Sequence, residues 1–237
     1  MAASRRSNRA ALESDRARAA TLRITISKEN YLKAIAEAES EGEAVKAVTL
    51  ARWLEVSAPA VTMAVKRLKR DALIRVGDEG QITLTAAGRE IANRLLNRHH
   101  LIERMLTEIF GLEWYKVHDE AEQLEHAVSA DFEQKLIEKL GTGGACPHGN
   151  MVGMESPDER RRRGLMPLEE VHAGRRVAVV SVFERDRRLL EFLDQAGIRP
   201  GVPVEVVSSG DEVWLLAAGH DVWLDRPMAA KIWVTAA

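Results

Sequence analysis

The stretch SAPAVTMAVKRLKRDALIRVGDEGQITLT, residues 57–85, decides the fold of the N-terminal part of the chain. Ser57 is placed to cap a helix, and Pro59 falls in its first turn, where a missing N–H costs little. Apolar side chains recur at helical spacing along one face of this helix, namely Val61, Val65 and Leu68. The segment LIRVGDEGQITLT then predicts two short strands joined by a Gly/Asp turn.

Two further helices are predicted before this stretch. The first has Ser27 as its N-cap, carries Asn30 and ends near Gly42, and the second begins at Thr49. Three helices followed by a hairpin indicate a winged helix-turn-helix, which we expect to occupy residues 25–90.

The third helix carries the residues expected to bind DNA. In this motif the N-terminal side chains of the helix reach base edges, and flanking basic residues contact phosphates. The predicted contact residues are Ser57, Pro59, Ala60, Thr62, Met63, Lys66, Arg67 and Arg70. The first five, which are expected to face the bases, include no Arg, Asn or Gln. We therefore expect recognition of the DNA sequence to depend mainly on contacts with thymine methyl groups and on indirect readout. The alternative is an ordinary helical hairpin with a solvated basic face.

The composition describes a folded chain without a membrane segment. Of 237 residues, 46% are hydrophobic and 30% charged, and a single cysteine excludes an internal disulfide framework. No run of about 18 apolar residues occurs, so we expect a cytoplasmic protein. The net charge of −2 hides local contrasts. Residues 1–24 are predicted to form a basic disordered arm, whereas residues 96–140 hold ten acids, five bases and four histidines.

That acidic segment contains candidate metal ligands. A long helix is predicted from Thr85 to Gly111, and a second helix from Tyr115 to Leu140. His99 and Glu103 are four residues apart and share a face of the first helix. On a continuous second helix, an arc of about 100° holds His118, Glu122, Glu125 and His126. Imidazole and carboxylate donors suit Mn²⁺, Fe²⁺, Co²⁺, Ni²⁺ or Zn²⁺, and simple surface ion pairs are the alternative.

The two long helices are expected to pack on each other and on a second subunit, within a helical dimerisation and metal-binding domain of residues 91–164 that includes a connector. The connector, residues 141–164, is rich in Gly, Pro and charge. We interpret its Cys146-Pro147-His148 as structural, with a stray metal ligand as the alternative. Residues 165–237 contain five predicted short strands and indicate an SH3-like β-barrel. The fold class is therefore mainly α with a small β domain.

Enzymatic signatures are missing from the sequence. It contains no G-x-S-x-G, no H-E-x-x-H and no phosphate loop of the G-x-x-x-x-G-K type. We therefore expect neither catalysis nor a small organic substrate.

The motifs ENYLKAI, VSAPAVTMAVKRLKRDALI, ITLTAAGR, RHHLIERML, KVHDEAEQLEH and CPHGN resemble the diphtheria toxin repressor family of metal-dependent regulators. The resemblance covers about residues 25–237 and implies a winged helix, a helical dimerisation and metal domain, and a C-terminal SH3-like (FeoA-like) domain. It implies a primary metal site of Asn30, Glu122, Glu125 and His126. It also implies an ancillary site of His99, Glu103, His118 and Glu184.

The same resemblance bears on the identity of the metal. Asn30 and Glu122 stand where iron-type members have Met and Cys, and where manganese-type members have Asp and Glu. Lys33 stands where the manganese branch often has Glu, and Arg187 where iron-type ancillary sites have Gln. The hard donors favour Mn²⁺, with Fe²⁺ as the alternative.

The sequence thus predicts a Mn²⁺-responsive repressor that binds a palindromic DNA operator as a metal-loaded homodimer and controls metal-ion homeostasis genes. The two recognition helices would then be spaced by about one DNA turn, 34–36 Å, or a multiple of it. An Fe²⁺-responsive repressor is the first alternative. More distant alternatives are a winged-helix sensor of an organic ligand and a metallohydrolase.

Overall fold

The computed structural model describes residues 24–151 and 155–237. The predicted basic arm, residues 1–24, lies outside this part of the chain except for Ile24. The chain forms two compact units, which divide between Leu96 and Asn97. None of the described helices is long and apolar enough to cross a membrane.

The first unit is the predicted winged helix-turn-helix. Its helices are α1 (Ile26–Ser40), α2 (Ala47–Trp53) and α3 (Ala58–Arg70), followed by the strands β1 (Ile74–Val76) and β2 (Ile82–Leu84). The two strands pair antiparallel, with Arg75 opposite Thr83. The long helix α4 (Ala86–Glu108) begins in this unit.

The helix boundaries differ from the prediction mainly at α1 and α2. The cap of α1 is Thr25, whose hydroxyl accepts the backbone N–H of Lys28 at 3.4 Å, so the prediction of Ser27 as the cap was wrong. Helix α2 begins at Ala47, two residues before the predicted start. Ser57 precedes α3 in extended conformation and Pro59 lies in its first turn, as predicted.

The core of the first unit combines its helices and its hairpin. Fully buried side chains come from α1, α2, α3 and both strand segments, and include Leu32, Ile35, Leu50, Val61, Leu68, Leu73 and Ile82. Burying each of these aliphatic side chains contributes about 1.5–3 kcal/mol. Helix α4 passes so close to this core that a Cβ at Gly88 would lie 2.0 Å from the carbonyl oxygen of Leu73.

The second unit begins with the rest of α4 and two shorter helices, α5 (Val117–Leu124) and α6 (Ala130–Leu140). The prediction of one helix from Tyr115 to Leu140 was therefore wrong. After Leu124 the backbone tightens, with the N–H of Ala127 donating to the carbonyl of Leu124 at 2.9 Å. Ser129 then caps α6 by accepting the N–H of Phe132. His126 consequently does not share a helix face with His118 and Glu122.

The C-terminal part of the second unit is the predicted SH3-like domain. After α7 (Pro157–Arg162) come β3 (Met166–Pro167), a 3₁₀ turn (Leu168–Glu170), β4 (Arg175–Val182) and α8 (Arg187–Gln195). The remaining elements are β5 (Pro203–Ser209), β6 (Glu212–Ala217), β7 (His220–Asp225), α9 (Arg226–Ala229) and β8 (Ile232–Ala236). The strands form one antiparallel sheet in the order β3-β8-β4-β5-β6-β7.

Alternate strand residues and α8 build the core of this domain. Its largest buried members include Leu168, Leu189, Leu190, Leu193, Val206, Leu215 and Ile232. Trp114, just before α5, packs into the same core and donates its indole N–H to Asp194 at 2.6 Å. This contact attaches the start of α5 to the β domain.

Candidate metal centre and DNA-binding helix

Four buried side chains of the second unit converge on one point. They are His99 and Glu103 on α4, His118 on α5 and Glu184 directly after β4. One ligand atom from each lies within 4.8 Å of the others. We call these four residues the inner cluster. They are the same four residues that the family resemblance implied for the ancillary site.

Glu103 is the hub of the inner cluster. Its Oε1 lies 3.1 Å from His99 Nε2 and 3.4 Å from His118 Nδ1. Its Oε2 is buried without a hydrogen-bond partner in the structure. A buried carboxylate oxygen without a donor is costly, and a cation is the kind of ligand that would satisfy it. Together with the imidazole and carboxylate donor set, this oxygen shows that the residues fit a divalent transition-metal ion.

Three further buried side chains border the inner cluster, and the sequence reasoning did not assign them. His100 Nε2 lies 3.7 Å from Glu184 Oε1, and Cys146 Sγ lies 3.6 Å from Glu184 Oε2. His148 Nδ1 lies 3.3 Å from Glu103 Oε1. His100, Glu103, Cys146 and Glu184 form a second group with metal-ligand spacing, which shares both carboxylates with the inner cluster.

The loop that carries Cys146 and His148 is packed against the β domain, in contrast to the connector that was expected. Val182 donates its N–H to the carbonyl of His148 at 2.9 Å, and Asn150 donates its side-chain N–H to Glu184 at 2.6 Å. Gly149 makes this close approach possible: its φ is +84°, and a Cβ there would lie 1.9 Å from the carbonyl oxygen of Val180. Its two donor side chains therefore lie beside the inner cluster, which is the position that the alternative interpretation, a metal ligand, requires.

The loop also fixes the tautomer of His148. Its Nε2 lies 2.9 Å from the carbonyl oxygen of Trp114, which can only accept a hydrogen bond. Nε2 therefore carries a proton, and in the neutral ring Nδ1 presents its lone pair toward Glu103 and Cys146. This carbonyl–histidine arrangement is the one that orients imidazoles in metal sites.

The ionisation of the cluster follows from its mixture of acids and imidazoles. Burial would raise the pKa of Glu103, but the charges of His148 and His99 outweigh it and hold that pKa well below its ordinary value. Burial would lower the pKa of His118, yet hydrogen bonds to Glu103 and Glu122 raise it to about 10. Burial, with the nearby carboxylates, raises the pKa of the Cys146 thiol. Without a metal, a protonated His118 thus offsets part of the negative charge of these carboxylates.

The residues implied for the primary site are distributed differently. Glu125 Oε2 lies 2.7 Å from His99 Nδ1, and its Oε1 lies 3.5 Å from His126 Nε2. Glu122 is more exposed, and its Oε1 lies 3.6 Å from His118 Nε2. The structure does not place Glu122 in one ligand group with Glu125 and His126. Asn30 lies half-buried on α1, in the first unit.

Two histidines connect the inner cluster to these outer carboxylates. His99 faces Glu103 with Nε2 and Glu125 with Nδ1, and His118 faces Glu103 with Nδ1 and Glu122 with Nε2. Each ring therefore offers one nitrogen inward and one outward. A carboxylate on the outer nitrogen orients the ring and makes the inner nitrogen a better donor.

Helix α3 of the first unit presents the residues predicted to contact DNA to solvent. Exposed side chains are found at all eight positions, Ser57, Pro59, Ala60, Thr62, Met63, Lys66, Arg67 and Arg70, whereas Val61, Ala64 and Leu68 are buried. Met63 is 55% exposed, unusual for a large apolar side chain. The Thr62 hydroxyl donates to the carbonyl of Ala58, and Arg70 donates to Asp71 at 3.0 Å. The Thr62 hydroxyl therefore uses its proton within the helix, and its oxygen lone pairs remain available as acceptors.

Comparison with known families matches all three parts of the chain. The description "Iron dependent repressor, N-terminal DNA binding domain" matches residues 23–80, and "Iron dependent repressor, metal binding and dimerisation domain" matches residues 85–152. The FeoA domain matches residues 166–236.

Individual relatives agree over nearly the whole length. The diphtheria toxin repressor of Corynebacterium glutamicum is 33% identical over 213 residues, covering 86% of this chain and 93% of the relative. The iron-dependent repressor IdeR of Mycobacterium tuberculosis is also 33% identical, covering 86% and 94%. Among solved structures, a manganese-dependent transcriptional repressor in complex with manganese superposes with a TM-score of 0.79 at 29% identity, covering 89% of this chain and all of the other.

The fold and the buried histidine–carboxylate cluster agree with the family matches and with these relatives. The chain therefore belongs to the diphtheria toxin repressor family of DNA-binding, metal-dependent transcriptional repressors, and not to a family of enzymes.

Proposed function

We propose that this protein is a cytoplasmic Mn²⁺-responsive repressor that binds a palindromic operator as a metal-loaded homodimer and controls genes of metal-ion homeostasis. The observation that carries the metal-sensing part is the inner cluster, His99, Glu103, His118 and Glu184, with its unused Glu103 oxygen. Hard oxygen and imidazole donors suit Mn²⁺. Relatives include both iron-dependent and manganese-dependent repressors.

Fe²⁺ is the alternative metal, and one contact favours it. Cys146 adds a soft sulfur donor at the edge of the inner cluster, 3.6 Å from Glu184. Thiolate ligands favour the later and softer members of the divalent series over Mn²⁺.

The proposed ligand sets divide into an inner and an outer site. His99, Glu103, His118 and Glu184 form the ancillary site, and Asn30, Glu122, Glu125 and His126 form the primary site. A bound divalent cation would supply positive charge, and this charge would hold together carboxylates that otherwise repel one another. His99 and His118 must present unprotonated inner nitrogens, so their remaining protons face Glu125 and Glu122. The inner site thereby aligns the carboxylates of the outer one.

The proposed DNA contacts use the exposed face of α3. Lys66, Arg67 and Arg70 are placed to neutralise phosphates, and Ser57, Pro59, Ala60, Thr62 and Met63 to lie against base edges. Homodimerisation is supported by large apolar side chains that are exposed in the helices of the second unit or directly after α4: Ile109, Phe110, Leu124 and Phe132.

The proposal is tested by DNA binding with and without metal. An operator is selected from random DNA with the Mn²⁺-loaded protein, and its affinity is then measured with Mn²⁺, Fe²⁺, Zn²⁺ and EDTA under anaerobic conditions. We expect EDTA to abolish specific binding and Mn²⁺ to restore it best. Glu103→Gln and Glu122→Gln should require at least tenfold more metal for half-maximal binding.

Glu120→Gln is the matched control, because Glu120 is an exposed acid on the same helix outside both ligand sets. Unchanged operator affinity in EDTA, or an equal loss in Glu120→Gln, would refute metal control. Restoration by Fe²⁺ at lower concentration than Mn²⁺ would select the alternative metal.

A further inference from the structure

One proposed ligand of the outer site already has a cation beside it. Arg185 Nη1 donates to Glu122 Oε1 at 3.0 Å, and this is the same carboxylate oxygen that faces His118. Arg185 follows Glu184 directly in the chain. The residue that follows the inner-cluster ligand therefore places its charge on the outer-site ligand.

The ion pair between Arg185 and Glu122 can be broken at a small cost in free energy. The Glu122 side chain is 40% exposed and that of Arg185 20% exposed, so water reaches both members of the pair. A partly exposed ion pair is weak compared with a buried one, because water screens the two charges. A divalent cation at Glu122 would be repelled by the guanidinium as long as Arg185 stays in place.

A second arginine in the same segment, Arg187, pairs with a residue that is not a proposed ligand. Arg187 Nη1 donates to Asp119 at 3.0 Å, on the same helix α5, and its Nε donates to Glu191. Neither Asp119 nor Glu191 belongs to a proposed ligand set. Arg185 and Arg187 thus carry the same charge to the same helix, but only Arg185 covers a ligand.

We propose that Arg185 is an affinity-setting residue of the outer metal site: its guanidinium occupies Glu122 in the metal-free protein, and a metal ion must displace it. This inference rests on the proposed role of Glu122. The competition raises the metal concentration at which the outer site fills, so the repressor responds at a higher threshold than its ligands alone would give.

The expected size follows from the exposure of the pair. Exposed ion pairs contribute little, and breaking one corresponds to about a two- to fivefold change in an equilibrium constant. Arg185→Gln should therefore bind Mn²⁺ at the outer site about two- to fivefold more tightly. Arg185→Lys, which keeps the charge, should stay close to the natural chain. Because partly exposed charges are screened, the gain should shrink as salt increases.

The experiment is a Mn²⁺ binding isotherm on the full-length protein, measured by electron paramagnetic resonance of the free ion. Arg188→Gln is the matched control, because Arg188 is an exposed arginine of the same segment outside both ligand sets, and it should leave the outer-site affinity unchanged. Glu122→Gln tests the premise: loss of one binding step in that variant supports the outer site. In the Arg185→Gln/Glu122→Gln double variant, the gain from losing Arg185 should vanish.

The outcomes separate the inference from the function. Weaker or unchanged Mn²⁺ binding in Arg185→Gln overturns the inference, as does an equal gain in Arg188→Gln. If Glu122→Gln keeps both binding steps, the outer-site assignment fails instead. Thermal unfolding of the metal-free variants shows that each is folded, and a purely structural role of Arg185 would lower that midpoint without tightening metal binding.

Discussion

Replacing Gly149 by Ala should destabilise the protein far more than one added methyl group suggests. The new Cβ would lie 1.9 Å from Val180 O and 2.8 Å from Ser181 Cα, and both neighbours are backbone of strand β4. The loop must therefore move away from the strand. It would lose the bond between Val182 N–H and the His148 carbonyl, and the charge-assisted bond from Asn150 to Glu184.

The size of the effect can be worked from these contacts. A non-glycine residue at positive φ costs about 1–2 kcal/mol, a neutral hydrogen bond contributes about 1 kcal/mol, and one to a charged group about 1.5–3 kcal/mol. We expect a loss of about 4 kcal/mol in the free energy of unfolding. At about 2–4 °C per kcal/mol, this corresponds to a fall in Tm of roughly 10 °C.

Gly174→Ala provides the control for backbone strain. Gly174 also has a positive φ, +78°, but a Cβ there would meet no atom within 4 Å. It should therefore cost only about 1–2 kcal/mol. Thermal unfolding in EDTA, followed by circular dichroism, compares the two variants. If Gly149→Ala lowers Tm no more than Gly174→Ala does, the loop is not packed on β4 as described and the reasoning is refuted.

Asp71→Asn should destabilise the winged helix by about 1–3 kcal/mol at pH 7, because Asp71 pairs with Lys28 at 2.9 Å. Burial would raise the pKa of Asp71, but hydrogen bonds from Lys28 and a neighbouring arginine outweigh it and lower that pKa. Denaturant titrations at several pH values measure the free energy of unfolding of both proteins. The loss of stability in Asp71→Asn should be complete above about pH 4 and should disappear as the pH falls further. Lys66→Gln should weaken operator binding and reduce the slope of log K against log salt by about 1. Met63→Ala should change the preference for thymine while leaving that slope unchanged, as binding to operator variants would show. Cys146→Ser should weaken Zn²⁺ binding on the order of tenfold or more and Mn²⁺ binding much less, by calorimetry; equal losses would contradict a thiolate contribution.

The winged helix could be predicted because its signals are local. Three signals each act within a few residues: Pro59 two positions after Ser57, the apolar spacing of α3, and the Gly/Asp turn of the hairpin. The four inner-cluster residues came together as a set from the family resemblance. Helix spacing alone had already marked His99, Glu103 and His118 as candidate ligands.

The break between α5 and α6 was missed although its signal was present. Val128 and Phe132 continue the apolar spacing of a helix, and this pattern was given more weight than the capping residue between them. Ser129, followed by acids in the next turn, is a strong N-cap. A new helix therefore begins after it, where the apolar pattern had predicted that one helix continues.

His100, Cys146 and His148 could not be assigned from local pattern. Cys146 and His148 reach the cluster only because their loop packs on β4, and that packing depends on Gly149 and Asn150 meeting a strand some thirty residues later. His100 is adjacent to His99, and helix periodicity alone turns it about 100° away. Its approach to Glu184 depends on the whole β domain.

The inner cluster joins Glu103 to Glu184, about eighty residues apart in sequence, so an ion held there is also a reversible cross-link. It closes a long loop of the unfolded chain, and it adds stability by mass action, about 2.7 kcal/mol when free metal stands at 100 times its dissociation constant. A cell that runs short of metal would then lose the repressor in a second way. Unloaded chains unfold more often and are degraded sooner, so the amount of protein falls together with its occupancy of DNA.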